Sequence, residues 1–488
     1  MLDRRTLLKL AGGSIAVWSG AGRAFATAAS AVNPDSAAAR LAGDLPPIDG
    51  VFAFDPAICR AMATDWGKWV HRLPIGVLLP RSVADIRKIV RFAASHGLKI
   101  AMRGHGCSIY GQAQVDAGIV IDTADFNALH WAGDQQIDCQ PGVIWLQALN
   151  LALARGLTPP VLPDTLFLTI GGTLSVGGMG DTSYRLGAAV DHVAELDVVT
   201  GAGELVTCSA SRNADLFYAV LAGMGQCGLI VRARLRLVPA PPFVAIRTLR
   251  YPGHAQFVRD LGTFARAEPQ GAIRGRLVRG PDGFRPQMTC MTWLASDREP
   301  AAPQWLELLS GTPAGDARIV SFEAFANELT GYLVDAEARE ATAGPRPRVI
   351  FFVPQAAAES MLDYLASDAD AALGASGIPV FPLLTRNFRA PCLRLPDGEL
   401  VFQVRIYRLA SAEGAEDHLR MLRINVDQVI PRVLRDGGTF YLPHTPILSS
   451  GQWEQHFGPT VFAQLKAAKK RYDPNGVLNP GAGIFQLS

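Results

Sequence analysis

The sequence predicts an α+β fold, and three observations carry the prediction. A strand-helix-strand pattern runs through residues 75–102, short strands then alternate with glycine-rich loops to about residue 240, and from about Val244 to Arg435 strands mix with Ala-, Glu- and Asp-rich helices. At roughly 100 to 200 residues per domain, 488 residues suggest two or three domains. With 49% apolar residues and Lys+Arg 46 against Asp+Glu 44, the chain has no basic surface for nucleic acid and is too apolar for disorder. Its 48 Gly and 33 Pro point to many tight turns, which suit an enzyme with elaborate loops better than a helical bundle.

The N-terminus reads Met1-Leu2-Asp3-Arg4-Arg5-Thr6-Leu7-Leu8-Lys9, then a weakly apolar run to Ala21 and Ala24-Phe25-Ala26. These features resemble a twin-arginine export signal over residues 1–26, followed by a linker over 27–64. The run is shorter than the ~20 apolar residues of a membrane span, and no later segment has that length, so no membrane span is expected in the mature protein. The resemblance implies a periplasmic or extracellular protein, and because this route carries folded chains, it also hints at a cofactor. None of the seven cysteines forms a Cys-x-x-Cys pair, and no metal site is expected. Six are expected to be small buried hydrophobes, with Cys107 set apart.

Ile75 to Leu79 reads as a buried strand and Pro80-Arg81 as a turn. Ser82 caps a helix in which Val83, Ile86, Ile89, Val90 and Ala93 recur at helical spacing, with Asp85 in the capping-box position and Gly97 at the end. Leu98 to Met102 and Gly118 to Asp122 read as strands, so the loop Arg103-Gly-His-Gly-Cys-Ser-Ile-Tyr-Gly-Gln112 joins a strand to a strand. A dinucleotide loop of the Rossmann kind would open a helix instead. Consecutive N–H groups on such a turn still form an anion nest suited to a pyrophosphate. A second glycine-rich stretch, Leu168 to Gly180, lets backbone approach a flat ligand. Glu195–Val199 and Glu204–Cys208 flank Gly201-Ala-Gly203 as a hairpin, and a short helix is expected from Asn213 through Met224. In Leu229 to Val238, Val231, Ala233, Leu235 and Leu237 face one way, and Arg232, Arg234 and Arg236 form a solvated face. Asp197 reads as supporting a turn. No chemical motif stands out between 244 and 435, which reads as a substrate or cap domain.

The patterns Arg103-Gly-x-Gly-x-Ser-x-x-Gly-Gln-Ala113, Asp164-x-Leu-x-Leu-Thr-Ile-Gly-Gly-Thr-Leu-Ser175, Glu195-Leu-Asp-Val-Val-Thr-Gly201, Asn213-x-Asp-Leu-Phe217, Tyr441-Leu-Pro-His444 and Asp473-Pro-x-x-Val-Leu-x-Pro-Gly481 occur in this order. They resemble the cytokinin dehydrogenases, flavoenzymes of the vanillyl-alcohol-oxidase, or PCMH-type, class. The resemblance spans about Asp65 to Phe485 and is thin between 240 and 438. It implies a PCMH-type FAD-binding domain of two α/β subdomains, built from residues 65–243 and 436–488, with an inserted mixed sheet-plus-helix substrate domain at 244–435. By position, it implies that Met102, Gly104, His105, Gly106, Ser108 and Gln112 line the flavin pyrophosphate and ring, that Thr169, Ser175, Met179 and Ile230 follow it, and that Tyr441 and Asn479 close the C-terminal side. Asp164 falls on the family's catalytic aspartate and is counted with the cofactor-binding residues too.

Where the family carries a histidine bound to the flavin 8α carbon, this chain has Cys107. A thiolate can also attack that carbon, so an 8α-S-cysteinyl bond and a cysteine packed against unlinked flavin are both open, with attachment through His105 a third arrangement. A glutamine near the family's C-terminus is Ala482 here, and the acidic residue that helps bind adenine-type substrates would fall near Asp260.

A flavin takes hydride at N5 from a C–H next to nitrogen or oxygen, and a nearby group must accept the N–H or O–H proton. Asp164 suits that role: at a reference pKa of about 3.9 it is ionised at neutral pH, and modest burial raises it toward a useful base. The expected function is an exported FAD-dependent oxidoreductase acting on a small, cytokinin-like amine, with oxygen or a respiratory carrier as electron acceptor. An alcohol or sugar oxidase of the same fold, and a periplasmic flavin or electron-transfer protein without a substrate, are the alternatives. His444 reads equally as a pocket residue or as a satisfied buried imidazole.

Overall fold

The computed structural model describes residues 17–18, 37–281, 283–298, 303–328, 345–367, 377–408, 415–446 and 448–485. The export-signal reading therefore falls outside the described residues except at Val17–Trp18, which pair with Phe52–Ala53.

The first sheet is built on the strand-helix-strand unit. Strands Gly76–Leu79 and Ile100–Arg103 both pair in parallel with Ile119–Asp122, which lies between them, and Val51–Ala53 runs antiparallel on the outer side. Helix Val83–Ser95 starts at a complete capping box between Ser82 and Asp85, and Gly97 just beyond its end takes the left-handed φ of 65°. Asp85 does more than cap: its buried carboxylate also accepts from Asp49, Gly50 and Arg81 N–H, fastening the preceding segment to the helix. Ile86, Ile89, Val90 and Ala93 bury one helix face against Leu78, Ile100, Ile119 and Ile121, and Val477 and Leu478 from the far end of the chain join this core.

The second sheet is antiparallel in the order 205–208, 193–199, 229–236, 136–139, 129–131, and it contains the expected hairpin around Gly201–Gly203. The arginine face of its central strand is solvated as expected at Arg236, but Arg232 and Arg234 are half-buried and paired. Arg232 is half-buried and meets Asp197 at 2.6 Å, Asp138 at 3.0 Å and Glu195 at 2.5 Å, while Arg234 meets Asp138 at 2.8 Å. The two arginines and three acids form one cluster, in which Asp197 is an ion-pair partner rather than a turn support. The Arg234 hydrogen bond holds the Asp138 carboxyl below the usual carboxylate range.

The third sheet has nine strands in the order 312–313, 243–250, 283–294, 271–280, 378–384, 400–407, 348–354 and 439–440, with 318–321 pairing beside 243–250. Its last strand, Thr439–Phe440, lies in the segment assigned to the C-terminal part of the FAD domain. Helices His254–Ala267 and Gln355–Ser367 pack against this sheet, where Gly275 leaves room for Phe257 and Leu261. Among the described residues, no helix is long and apolar enough to cross a membrane, and no group of three or more His, Cys, Asp or Glu could hold a metal ion.

One short element differs from expectation. The helix after Asn213 runs only over Ala214–Val220, and Ala222, Met224 and Gly225 then take left-handed conformations. The backbone turns aside because Ala222 N–H donates to Leu174 O at 2.9 Å and Met224 N–H to Ser175 O at 2.8 Å, in place of continuing the helix.

Candidate active site

Loop 103–112 is wound around two buried charges. The Arg103 guanidinium donates to Thr64 O at 2.6 Å and lies where a Cβ on left-handed Gly106 would fall, 2.1 Å away. Asp65, 4% exposed, accepts from Ser108 Oγ at 2.9 Å, Gly111 N–H at 2.7 Å and Gly67 N–H at 3.1 Å. Burial pushes the Asp65 carboxyl up, against the pull of these donors. Ser108 thus braces the loop from within. Gln112 is also engaged with protein: its Oε1 accepts from Tyr110 N–H at 2.9 Å, and its Nε2 donates to Leu442 O at 3.2 Å and Thr445 O at 3.0 Å. That amide ties the glycine loop to the C-terminal segment. His105 is exposed and Cys107 half-buried. The other six cysteines are buried, and burial pushes each thiol up.

The two glycine-rich stretches meet where Gly104 faces Thr169. A Cβ on Gly104 would stand 2.1 Å from Thr169 Oγ1, so only glycine permits the approach. Thr169 caps the short helix Ile170–Leu174, and Ser175 Oγ donates back to Gly171 O at 2.8 Å. Met179 is buried beside this turn, and Gly178 N–H donates to the Tyr441 hydroxyl at 3.1 Å. On the other side, Asn479, itself left-handed, donates from Nδ2 to Met224 O and accepts at its carbonyl from Gln226 Nε2 at 2.8 Å. Non-glycine residues held at positive φ cluster at functional sites, and three of them, Ala222, Met224 and Asn479, are grouped here. Ile230 is buried in the same core as Met179 and Met224, and Met102, two residues before Gly104, packs on the core of the first sheet.

Asp164 lies on a cavity of about 350 Å³ together with Pro159, Pro160, Leu162, Asp181, Arg185, Trp293, Phe322 and Phe325. Asp181 is neutralised by Arg274 at 2.5 Å. Asp164 forms an ion pair from Oδ2 to Arg405 Nη1, and its Oδ1 has no hydrogen-bond partner. Tyr441 and His444 stack at 6.2 Å nearby, and burial together with the charges of Arg348 and Arg405 pushes the His444 imidazole down to about 3, leaving it neutral. Its Nδ1 is buried without a partner, so it is not the satisfied imidazole that one reading expected. Asp260 is buried elsewhere, accepting Ser310 N–H at 2.6 Å and Gly311 N–H at 3.2 Å as a loop anchor.

Asp65 and the 222–226 turn carry no local signature. Arg405 and Gln403 do have one: Gln403, Arg405 and Tyr407 recur at period two in an otherwise apolar strand, which marks a polar face inside a buried sheet.

Residues 74–209 match a model described as FAD binding domain, and residues 318–485 match one described as cytokinin dehydrogenase 1, FAD and cytokinin binding. The chain is 33% identical to an uncharacterized oxidoreductase of the fasciation locus of Rhodococcoides fascians, covering 89% of this chain and 99% of the relative. It is 31% identical to cytokinin dehydrogenase 10 of Oryza sativa subsp. japonica, covering 87% and 86%. The chain belongs to the cytokinin dehydrogenase family. It is an FAD-dependent oxidoreductase with the PCMH-type fold. That fold is shared with 6-hydroxy-D-nicotine oxidase from Arthrobacter nicotinovorans at a TM-score of 0.68 and 21% identity, over 88% of this chain and 96% of that one.

The residues of this family member fit FAD. The exposed backbone of Gly172 beside the Gly104–Thr169 contact provides a side-chain-free wall for a dinucleotide, and the buried, partnerless Asn479 Oδ1 offers an acceptor next to Gly225.

Proposed function

We propose that this enzyme oxidises a small, cytokinin-like amine at a C–H next to nitrogen, with Asp164 accepting the N–H proton. The observation that carries the reading is a carboxylate on a largely apolar slot: Pro159, Pro160, Leu162, Trp293, Phe322 and Phe325 form most of the walls, the other cavity acid, Asp181, is paired with Arg274, and Asp164 keeps Oδ1 without a hydrogen-bond partner while Oδ2 pairs with Arg405. Bound FAD supplies the hydride acceptor. The apolar walls hold the carbon skeleton of the substrate and exclude water, which strengthens any hydrogen bond to Asp164. Asp164 accepts the amine N–H and takes its proton as the C–H bond breaks. His444 is kept neutral, chiefly by burial. The activity for which the plant relatives are named, cytokinin dehydrogenase, supports an amine over an alcohol or sugar.

The test is an anaerobic panel of amines, alcohols and sugars mixed with holoenzyme while the flavin absorbance is followed. Small amines are expected to bleach the flavin, and Asp164→Asn to slow that bleaching by about 10²- to 10⁴-fold with flavin content unchanged. Bleaching by alcohols or sugars alone, or an undiminished rate in the variant, overturns the reading. Two further parts belong to the proposal: export by the twin-arginine route, supported by Arg4-Arg5 and Ala24-Phe25-Ala26, and an 8α-S-cysteinyl bond through Cys107, supported by its being the one half-buried cysteine among six buried ones.

A further inference from the structure

We infer that Arg405 is a positioning residue for Asp164, supplied by the inserted domain to the carboxylate on the FAD-domain side of the cavity. The guanidinium is 8% exposed and the Asp164 side chain 31%, so the arginine is the buried member of the pair. Three contacts fix its plane. Nη1 meets Asp164 Oδ2, Nε donates to the buried Gln403 Oε1 at 2.8 Å, and the guanidinium carbon lies 4.3 Å over the Phe381 ring. Asp164, by contrast, follows Leu162-Pro163 outside any helix or strand, and its Oδ1 has no hydrogen-bond partner. The orientation of the carboxylate is therefore set from strand Leu400–Tyr407, whose register against Arg348–Pro354 and Ile378–Leu384 holds both Gln403 and Arg405.

Arg405 acts in two ways. It fixes the carboxylate rotamer that faces the substrate nitrogen, and its charge favours the ionised, proton-accepting form of Asp164. A cation in contact with a carboxylate lowers its proton affinity by roughly 1–3 pK units. The inference rests on the reading of Asp164 as the base.

The experiment is a double-mutant cycle on holoenzyme whose flavin content has been checked, reading the anaerobic rate of flavin reduction and its pH profile. Arg405→Met is expected to slow reduction by about 10- to 100-fold in the parent and to add little in the Asp164→Asn background, because a misplaced group can only misplace what is there. The acid limb of the Arg405→Met profile is expected to move up by roughly 1–3 units. Arg405→Lys, which keeps the charge without the planar fork, is expected to keep the limb within about one unit while remaining slow, and it carries the cycle if Arg405→Met does not fold. An equal fold-loss in both backgrounds, or an unmoved acid limb in Arg405→Met, overturns the positioning role. A full rate in Asp164→Asn alone overturns the base reading instead, so the two failures are distinct.

Discussion

Gly104→Ala tests whether the contact between the two glycine-rich stretches is what shapes the flavin cradle. The added methyl would stand 2.1 Å from Thr169 Oγ1 and 3.0 Å from both Thr169 Cβ and Cγ2. Thr169 cannot swing clear at small cost, because it is β-branched, 3% exposed and capping the helix Ile170–Leu174. Either the backbones part or the cap is lost. Overpacking of this kind costs about 1–3 kcal/mol. If the strain falls on the bound state, the affinity of the non-covalent flavin complex, from which any bond to Cys107 must form, drops by roughly 5- to 150-fold, at 1.4 kcal/mol per factor of ten. Flavin per chain after desalting, from the visible-to-ultraviolet absorbance ratio, reads the first effect, and a melting curve reads the second. Adding Thr169→Ala removes the colliding oxygen and is expected to restore part of the flavin content. A Gly104→Ala protein with parental flavin content and an unchanged Tm would refute the cradle argument.

Acid precipitation checks the covalent bond: yellow colour is expected in the pellet of the parent and in the supernatant of Cys107→Ser, and a colourless parent pellet excludes the linkage. Stability should fall on mild acidification. His444 and His456 are both pushed down to about 3, chiefly by burial, so each is neutral in the folded state while it titrates near 6.5 in the unfolded one. The unfolded chain therefore binds more protons below 6.5, and stability present above that pH declines from 6.5 toward 3. Melting curves between pH 8 and 5 are expected to show this decline, less steeply in His456→Gln, which keeps an acceptor for Phe440 N–H; a pH-independent Tm contradicts it. Replacing Arg4 and Arg5 by lysine is expected to retain the chain in the cytoplasmic fraction, and unchanged export would remove the twin-arginine reading.

What could be read from the sequence was local. The capping box at Ser82 and Asp85, the hairpin around Gly201–Gly203 and the strand-to-strand glycine loop depend on neighbours a few residues apart, so spacing alone reveals them. The alternation at 229–238 gave the correct buried face. It gave the wrong surroundings for the other face, since the Arg232 partner Asp138 is 94 positions away on a different strand. Asp65 organises Ser108 across 43 positions, and Arg405 reaches from a strand of the third sheet to Asp164, which lies outside any strand. Neither residue type is diagnostic by itself, because a buried charge acquires its role only from the partner that folding brings to it. The left-handed turn after Val220 was hidden for a different reason. Local propensity favours continuing the helix through Leu221 and Ala222, and the carbonyls of Leu174 and Ser175 override it.

Contacts of long sequence separation also hold the halves of the site together. The C-terminal segment completes the first sheet: Leu478 bridges Ile100 in parallel, Ile100 N–H donates to Val477 O at 2.8 Å, and Asn479 N–H donates to Ile100 O at 2.7 Å. It also supplies the partners of Gln112, 330 and 333 residues along the chain, and Asn479 beside Met224, 255 residues away. Closing loops of this length costs chain entropy that the contacts of the cradle must offset. A ligand that binds only the closed form stabilises it by mass action. Bound FAD would therefore favour the state in which the C-terminal segment lies on the glycine loops.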